Sequence, residues 1–465
     1  MATRIAGRGH AVVVGGSVAG LLAACALAEG FVRVTVVERD ALPHGPVPRR
    51  GVPHGRHAHV LLARGVAAMD ALLPGLSFEM LDAGGVSGDA QADLRWYLDG
   101  RPLRSAESGL TTVALSRPLL EHLVRRRVRQ LPNVHVEDGT EVVGLLAERR
   151  RVAGVRLRAA DAGAPETTLG ADLVVDASGR GSRVPGWLAE RGLPAPPRSG
   201  TQLDLVQVSR YYLRQPWHLP GLLGVGALPF PGRPRGGVVL RQEGGRFVVT
   251  LAGLHGDAPP ATGRGMLAYA ETLAGGDVAD LVRGAEPVGE PVTTRFPATA
   301  RVRYERLGRH PDGLLAVGDA LCSTNPLSAQ GTTVAALEAM VLRDLLAAGA
   351  EDLARRFHAE AAGVLDAPWA VGTADDLRFP EAAGRRRAVD GPIARYLARC
   401  RAAAAGNAEL ATAYLRVANL VDPPLRLVAP GHLARVLRAP VPVGPPAWAV
   451  PPPAHGTPNE RRECA

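Results

Sequence analysis

Apolar and polar positions alternate in different ways along the 465 residues, and each pattern predicts its own kind of element. "HAVVV" (10–14) is a short apolar run. "VAGLLAACALA" (18–28) is apolar almost all round, and "VRVTVVE" (32–38) alternates before ending in an acid. In order they read as strand, helix and strand, a βαβ unit. A helix-like stretch runs to about Leu73. Ser116 is placed to cap a helix through Leu131, with Pro118 tolerated in the first turn and Leu119, Leu120, Leu123, Val124 and Val128 spaced to face a core. Val134–Arg158 alternates over several short strands and reads as a meander on the edge of a parallel sheet. "ADLVVDASGRGSR" (171–183) and "GLLAVGDA" (313–320) read as buried strands that end in small-residue turns, and Thr332–Leu346 as a strong helix.

Between them, 201–292 is punctuated by Gly and Pro with strand patches such as "GGVVLRQEGGRFVVTLAGL", the pattern of an antiparallel sheet. The region from Glu351 to about Arg438 is helical in pattern. A Pro-rich end, 439–465, reads as disordered.

Composition narrows the function classes. The chain is 46% hydrophobic, enough for a large core. Its formal net charge of +9 contains no lysine, every basic residue being arginine, and there are only two isoleucines, Ile5 and Ile393. That composition reflects codon bias, so "RRRVR" (125–129) is read as the solvated face of a helix and no nucleic-acid partner is expected. Cys25, Cys322, Cys400 and Cys464 lie far apart with no C-x-x-C pair, which indicates neither a zinc site nor a disulfide framework. No metal site, secretion signal or transmembrane segment is expected, and a cytoplasmic setting fits best.

Candidate chemistry begins at the first βαβ turn. Gly15 opens the turn, Gly20 allows close helix-to-strand packing, and the helix from Val18 aims its free N–H groups at a phosphate, so Gly15, Ser17, Val18, Ala19 and Gly20 are candidate cofactor contacts. Ser17 stands where the G-x-G-x-x-G fingerprint has its second glycine. Its hydroxyl is expected to donate to a phosphate oxygen, partly offsetting a slightly less close backbone approach. Glu38, 18 residues beyond Gly20 and followed by Arg39, is placed to accept ribose hydroxyls and to repel a 2′-phosphate, which leaves FAD or NAD.

"RRGVPHGRHAHVLL", "SRPLL", "DLVVDASGRGS", "GDALCSTNPLSAQG" and "DAPWAVGTADDLRFP" (366–380) together resemble the FAD-dependent monooxygenases of the para-hydroxybenzoate hydroxylase superfamily. Within it they look most like the squalene-epoxidase-like bacterial epoxidases of polyether antibiotic biosynthesis, such as those for lasalocid and monensin. The resemblance runs to about Val428. It implies that Arg49 and Arg50 contact the FAD pyrophosphate or ribityl region and that Arg117 contacts the flavin. Gly318 and Asp319 would meet the ribityl chain. Pro326, Gln330, Gly331 and Thr332 would lead into a helix whose N-terminus faces the flavin pyrimidine edge. Two departures stand out: Ser178 where many members have aspartate, and Ala329 where relatives have glycine, whose methyl would narrow the pocket or shift the ring. His57 and His59 are read as structural rather than metal-binding.

The fold class expected is therefore α/β (α+β). A Rossmann-like FAD-binding domain is assembled from 1–90, 116–200 and 297–346. An antiparallel-sheet substrate domain comes from 91–115 and 201–296, and a helical C-terminal region spans 347–438. The activity implied is epoxidation of an alkene in a lipophilic polyketide or terpenoid intermediate, through an oxygen adduct at flavin C4a, with NAD(P)H as reductant directly or through a flavin reductase. Such chemistry needs a dry apolar pocket more than an acid or base, so no catalytic residue is named. Val206, Tyr211, Leu213, Trp217, Leu222, Leu228, Phe230, Val238, Leu240, Phe247 and Val249 are its candidate lining. Hydroxylation of a natural product, reduction of an isoprenoid double bond and non-redox cyclisation on bound FAD are the alternatives. A flavin halogenase is disfavoured: the W-x-W-x-I-P motif is absent, and a chain without lysine cannot supply that group's essential one.

Overall fold

The computed structural model describes residues 8–148, 150–159, 164–349 and 351–440, so the Pro-rich end read as disordered lies, but for its first two residues, outside the described residues. Five parallel strands form the central sheet in the order Leu314–Ala316, Leu173–Asp176, Arg8–Val14, Phe31–Val37 and Val134–Glu137. Val14 is in register with both Asp176 and Val37, and Asp176 with Ala316. All these strands therefore end along one edge, where an open α/β sheet binds its ligands.

The crossover helix Val18–Ala28 is buried along nearly its whole length because the sheet lies on one side and the helix Gly331–Ala347 on another. That double burial explains a segment apolar on every face. Leu21, Leu22 and Leu27 are fully buried, each contributing about 1.5–3 kcal/mol by leaving water.

The helix Arg117–Arg129 starts where its cap predicts, with the Ser116 side chain accepting from the Leu119 N–H at 3.2 Å. Its basic stretch is not simply a solvated face. Arg125 is 3% exposed, donating to the Pro43 carbonyl at 2.8 Å and paired with Glu121, while Arg126 and Arg127 pair with Glu79. The expected meander also divides. Val134–Glu137 joins the parallel sheet, whereas Thr140–Glu148, Arg151–Ala159 and Thr167–Gly170 form a separate antiparallel sheet after the turn at Gly139.

A second, seven-stranded sheet runs in the order Pro287–Ala298, Gln202–Leu213, Arg246–Gly253, Arg235–Gln242, Gly224–Ala227, Leu94–Leu98 and Arg101–Pro102. Its five 202–298 strands are antiparallel neighbours, and Leu94–Leu98 adds alongside Gly224–Ala227 in parallel. Thr111–Ala114, by contrast, pairs with Val60–Leu61 and Val86–Asp89 in a small sheet of its own.

One face of the large sheet is closed by the helices Gly263–Ala270 and Asp277–Arg283, which pack on Val208, Tyr212, Val225, Val239, Val249 and Leu251. The other face looks toward the first lobe. Beyond the helix Gly331–Ala347 come helices Leu353–Asp376, Asp390–Gly406, Ala408–Ala418 and Pro430–Arg438. Among the described residues no helix is long and apolar enough to cross a membrane.

Candidate active site

Two glycines are obligatory at the edge where the parallel strands end. Gly15 has φ +110°, and a Cβ on it would lie 2.5 Å from the Ala177 carbonyl oxygen. A Cβ on Gly20 would lie 1.9 Å from the Gly15 oxygen, so the helix can approach the strand only without a side chain there. The first intrahelical bond runs from Leu21 N–H to the Ser17 carbonyl at 2.9 Å. The N–H groups of Val18, Ala19 and Gly20 thus have no partner within the helix and form an anion-binding end. Gly318, at φ +60°, would place a Cβ 2.6 Å from the Ala19 side chain, so the Gly318–Asp319 turn also abuts this helix.

The Ser17 hydroxyl is committed elsewhere than expected. It donates to Glu121 Oε2 at 2.8 Å and accepts from Arg117 Nη2 at 3.1 Å, so its single proton is not aimed at a phosphate. Glu121 belongs to a buried charged layer beneath the turn. Arg49 reaches Glu121 at 2.7 Å, Asp40 at 2.8 Å and Glu38 at 3.2 Å. Glu38 Oε2 accepts from the Gly16 N–H at 2.8 Å and its Oε1 from the Asp40 N–H at 3.0 Å.

Three carboxylates, Glu38, Asp40 and Glu121, thus face three arginines, Arg49, Arg117 and Arg125. Burial works against the Arg49 charge, but Glu121 and Glu38 outweigh it and hold its pKa above the ordinary value, whereas burial lowers that of Arg117. Arg39 and Arg50 are exposed and stay outside this layer.

Arg117 also ties two helix N-termini together. Its Nη1 donates to Thr332 Oγ1 at 2.7 Å, at the start of Gly331–Ala347, while Nη2 holds Ser17 at the start of Val18–Ala28. Asp319 lies half-buried nearby. Burial pushes its carboxyl up from the usual range, opposed by Arg180 and Arg117. The turn bearing it is fixed from below by Glu338, whose Oε2 accepts from the Gly318 N–H at 2.6 Å and whose own carboxyl burial pushes up to about 8.

The connecting segment passes through a short 3₁₀ turn, Pro326–Ser328, and Ala329 takes the left-handed conformation at φ +54°. A glycine would adopt that conformation without strain, as the family pattern at this position implies. The Gln330 side chain turns away to donate to the Ala418 carbonyl at 3.1 Å.

His57 is a structural pin. Its ring nitrogens pair with Ser209 Oγ and Thr294 Oγ1, each at 2.6 Å, and burial pushes it down to about 4, so it stays neutral. His59 lies beside Thr332, its Nε2 3.5 Å from Oγ1, and is pushed down to about 3 by burial and by the Arg117 charge. Ser178 and Ser182 both donate to Asp176, the buried acid at the end of its strand.

The face of the large sheet that looks toward this site is apolar. Ala329 packs on a cluster built from Leu94, Leu223, Leu240 and Val248, with Trp96, Tyr211 and Val238 at its margin. Among the candidate lining residues, Tyr211, Val238 and Leu240 belong to this face. Phe247 and Val249 point to the opposite face under the two helices, and Trp217 is 69% exposed.

A dinucleotide fits the residues present. The close packing that Gly15 and Gly20 permit brings the N–H groups of Val18, Ala19 and Gly20, unpartnered within the helix, to the edge where the parallel strands end. Arg117 Nε and Arg49 Nη2 are buried with no hydrogen-bond partner among the described residues, an unmet demand for acceptors that phosphate and ribose oxygens supply. Asp40, Glu121 and Arg180 do not stand out in the sequence. Glu121 was within reach, since 117, 121 and 125 fall on one stripe of a helix.

Comparison with known proteins agrees with this reading. Residues 9–202 match the family described as FAD binding domain. Protein Rv3254 of Mycobacterium tuberculosis is 36% identical over 393 residues, spanning 80% of this chain and 81% of that protein. A flavoprotein/dehydrogenase from Cytophaga hutchinsonii is similar in fold, with TM-score 0.65 and 15% identity over 92% of this chain and 96% of its own. PqsL, described as a probable FAD-dependent monooxygenase from Pseudomonas aeruginosa, superposes with TM-score 0.59 and 19% identity over 79% of this chain and 97% of its own. The chain belongs to the same family as the Mycobacterium tuberculosis protein, carries an FAD binding domain over residues 9–202 and shares the fold of PqsL.

Proposed function

We propose that the protein is a monooxygenase that transfers one atom of O2 to an alkene of a lipophilic polyketide or terpenoid intermediate, giving an epoxide. The second oxygen atom leaves as water, with both electrons supplied by NAD(P)H, directly or through a flavin reductase. A reducing cytoplasm suits the free thiols buried among the described residues, Cys25, Cys322 and Cys400. The observation that carries the reading is the apolar character of the sheet face on which Ala329 packs, the cluster of Leu240, Val248 and Trp96.

In this reading Gly15, Ser17, Val18, Ala19 and Gly20 hold the FAD pyrophosphate, and Glu38, beside Arg49, accepts the adenosine ribose hydroxyls. Asp319 holds the ribityl chain, and Pro326, Gly331 and Thr332 border the flavin. Arg117 and the helix N-terminus at Gly331 supply positive potential for the charge that reduction places on the flavin. Bound FAD supplies two-electron transfer and O2 activation. The protein's own work is then to orient the alkene and exclude water, because stray protons divert reduced flavin and O2 to hydrogen peroxide.

The test is aerobic turnover of lipophilic polyenes with NAD(P)H, with the oxygen position read by mass spectrometry. An epoxide supports the proposal. A hydroxylated product, an oxygen-free reduced product, or cyclisation without O2 on oxidised flavin would each replace it with the corresponding activity.

A further inference from the structure

The segment "DAPWAVGTADDLRFP" belongs to the family resemblance, yet the activity gives it no task. In the structure it is the second half of the helix Leu353–Asp376 and the turn after it. The last residue of that helix, Asp376, is 7% exposed, and its Oδ1 accepts from the Asn325 amide at 2.8 Å.

Asn325 is the hinge of the turn that carries Ala329. Its Oδ1 accepts from the Leu327 N–H at 3.0 Å, and its carbonyl accepts from the Ser328 hydroxyl at 2.8 Å. Leu327 packs against the cluster of Leu377 and Phe379, just past Asp376. At the other end, Gln330 is tied to the Ala418 carbonyl, the last residue of the helix Ala408–Ala418.

The anchor itself is rigid. Asp375 bonds Arg378 and Arg401, each at 3.0 Å, and both arginines reach Asp99 in the second lobe, at 2.9 and 2.8 Å. Arg401 also donates to the Tyr414 hydroxyl at 3.2 Å. In this partly buried lattice each carboxylate holds both arginines and Arg401 is itself 4% exposed, so the four side chains constrain one another's positions. Asn325 is therefore fixed to a frame that spans the C-terminal helices and the substrate sheet.

We propose that Asp376 is a positioning residue: through Asn325 it sets the Pro326–Gly331 turn against the flavin, and so fixes how closely Ala329 approaches ring and substrate. The proposal rests on the reading that this turn borders the flavin. Asp376 touches neither substrate nor cofactor and acts only through Asn325.

The visible absorption and fluorescence of bound FAD report the ring's surroundings and need no substrate, so they test this directly on the holoenzyme. Asp376→Leu and Asn325→Ala, which remove acceptor and donor in turn, are expected to retain FAD but shift the flavin bands. Asp376→Asn, which keeps an acceptor for Asn325, is expected to retain the wild-type spectrum. Asn325→Ala carries the test if Asp376→Leu does not fold. The proposal is overturned if the spectrum of either disrupting variant superposes on that of the wild type, or if Asp376→Asn shifts as far as Asp376→Leu. A wild-type protein unable to take up FAD would sink the cofactor reading instead, so the two failures are distinct.

Discussion

The turn proposed for the pyrophosphate and the turn proposed for the flavin are both short, glycine-bearing entries to a helix, but they are held in different ways. The first is fixed by backbone sterics: a Cβ on Gly20 would strike the Gly15 oxygen within the same βαβ unit, and one on Gly15 would strike the Ala177 oxygen beyond the end of the neighbouring strand. The second takes its shape from distant groups, with Asn325 held by Asp376, Gln330 by Ala418, and a non-glycine residue accepting positive φ at Ala329. A turn fixed by backbone packing tolerates no added atom, whereas a turn held through side-chain hydrogen bonds can be tuned from outside. Arg117 joins the two by bonding one residue at each helix entry.

The most damaging change is expected at the sterically fixed turn. Gly20→Ala forces its methyl into the Gly15 carbonyl. Purified protein should be colourless and destabilised by about 1–3 kcal/mol or more, read by flavin absorbance and chemical denaturation. A yellow, stable Gly20→Ala protein would break the contrast.

Glu121→Ala comes close behind. It leaves Arg49 without its shortest ion pair and Arg125 without its carboxylate partner, which should cost about 3–5 kcal/mol in denaturant unfolding. Loss below about 1 kcal/mol would mean the charged layer is solvated after all.

At the turn held from outside, a pH effect is expected. Burial, reinforced by the Asp375 charge, pushes the Asp376 carboxyl from 3.8 up to about 7. A raised folded-state pKa means that the stabilisation by the bound proton is complete below the unfolded value and is lost as pH rises through about 7. Asp376→Asn removes that loss, so its stability relative to wild type should rise from acid to alkaline pH by a few kcal/mol. A pH-independent difference would show that the carboxyl titrates normally.

Smaller effects follow from single groups. Ser17→Ala gives up one bond to Glu121 and one to Arg117, and should weaken FAD binding roughly tenfold or less, by about 1 kcal/mol. Ser17→Gly should differ little from it if the hydroxyl's contacts are the whole effect. Ala329→Gly relieves the left-handed strain and should change stability by no more than about 1 kcal/mol, while admitting bulkier substrates.

These regions also differ in how legible they are. The βαβ unit, the Ser116 cap and the helix after Gly331 follow from periodicity and capping because their determinants are neighbours in sequence. That 91–115 contributes to the second lobe was legible, but the parallel pairing of Leu94–Leu98 with Gly224–Ala227 was not, since a strand's partner is set by packing across more than a hundred residues. The helices Gly263–Ala270 and Asp277–Arg283 are short and bounded by Gly and Thr, so their pattern is lost among turns. Ser17 illustrates the limit within the site: its position could be read, but the direction of its hydroxyl depended on Glu121, 104 residues away.

The proposed reaction moves one oxygen atom from O2 into an apolar alkene on bound FAD. Turnover of a lipophilic polyene under isotopically labelled O2, with mass spectrometry of the product, separates it from every alternative. The expected product is an epoxide carrying one labelled atom, the other appearing in water. Product formed without label, or formed equally well when O2 is withheld, would contradict it.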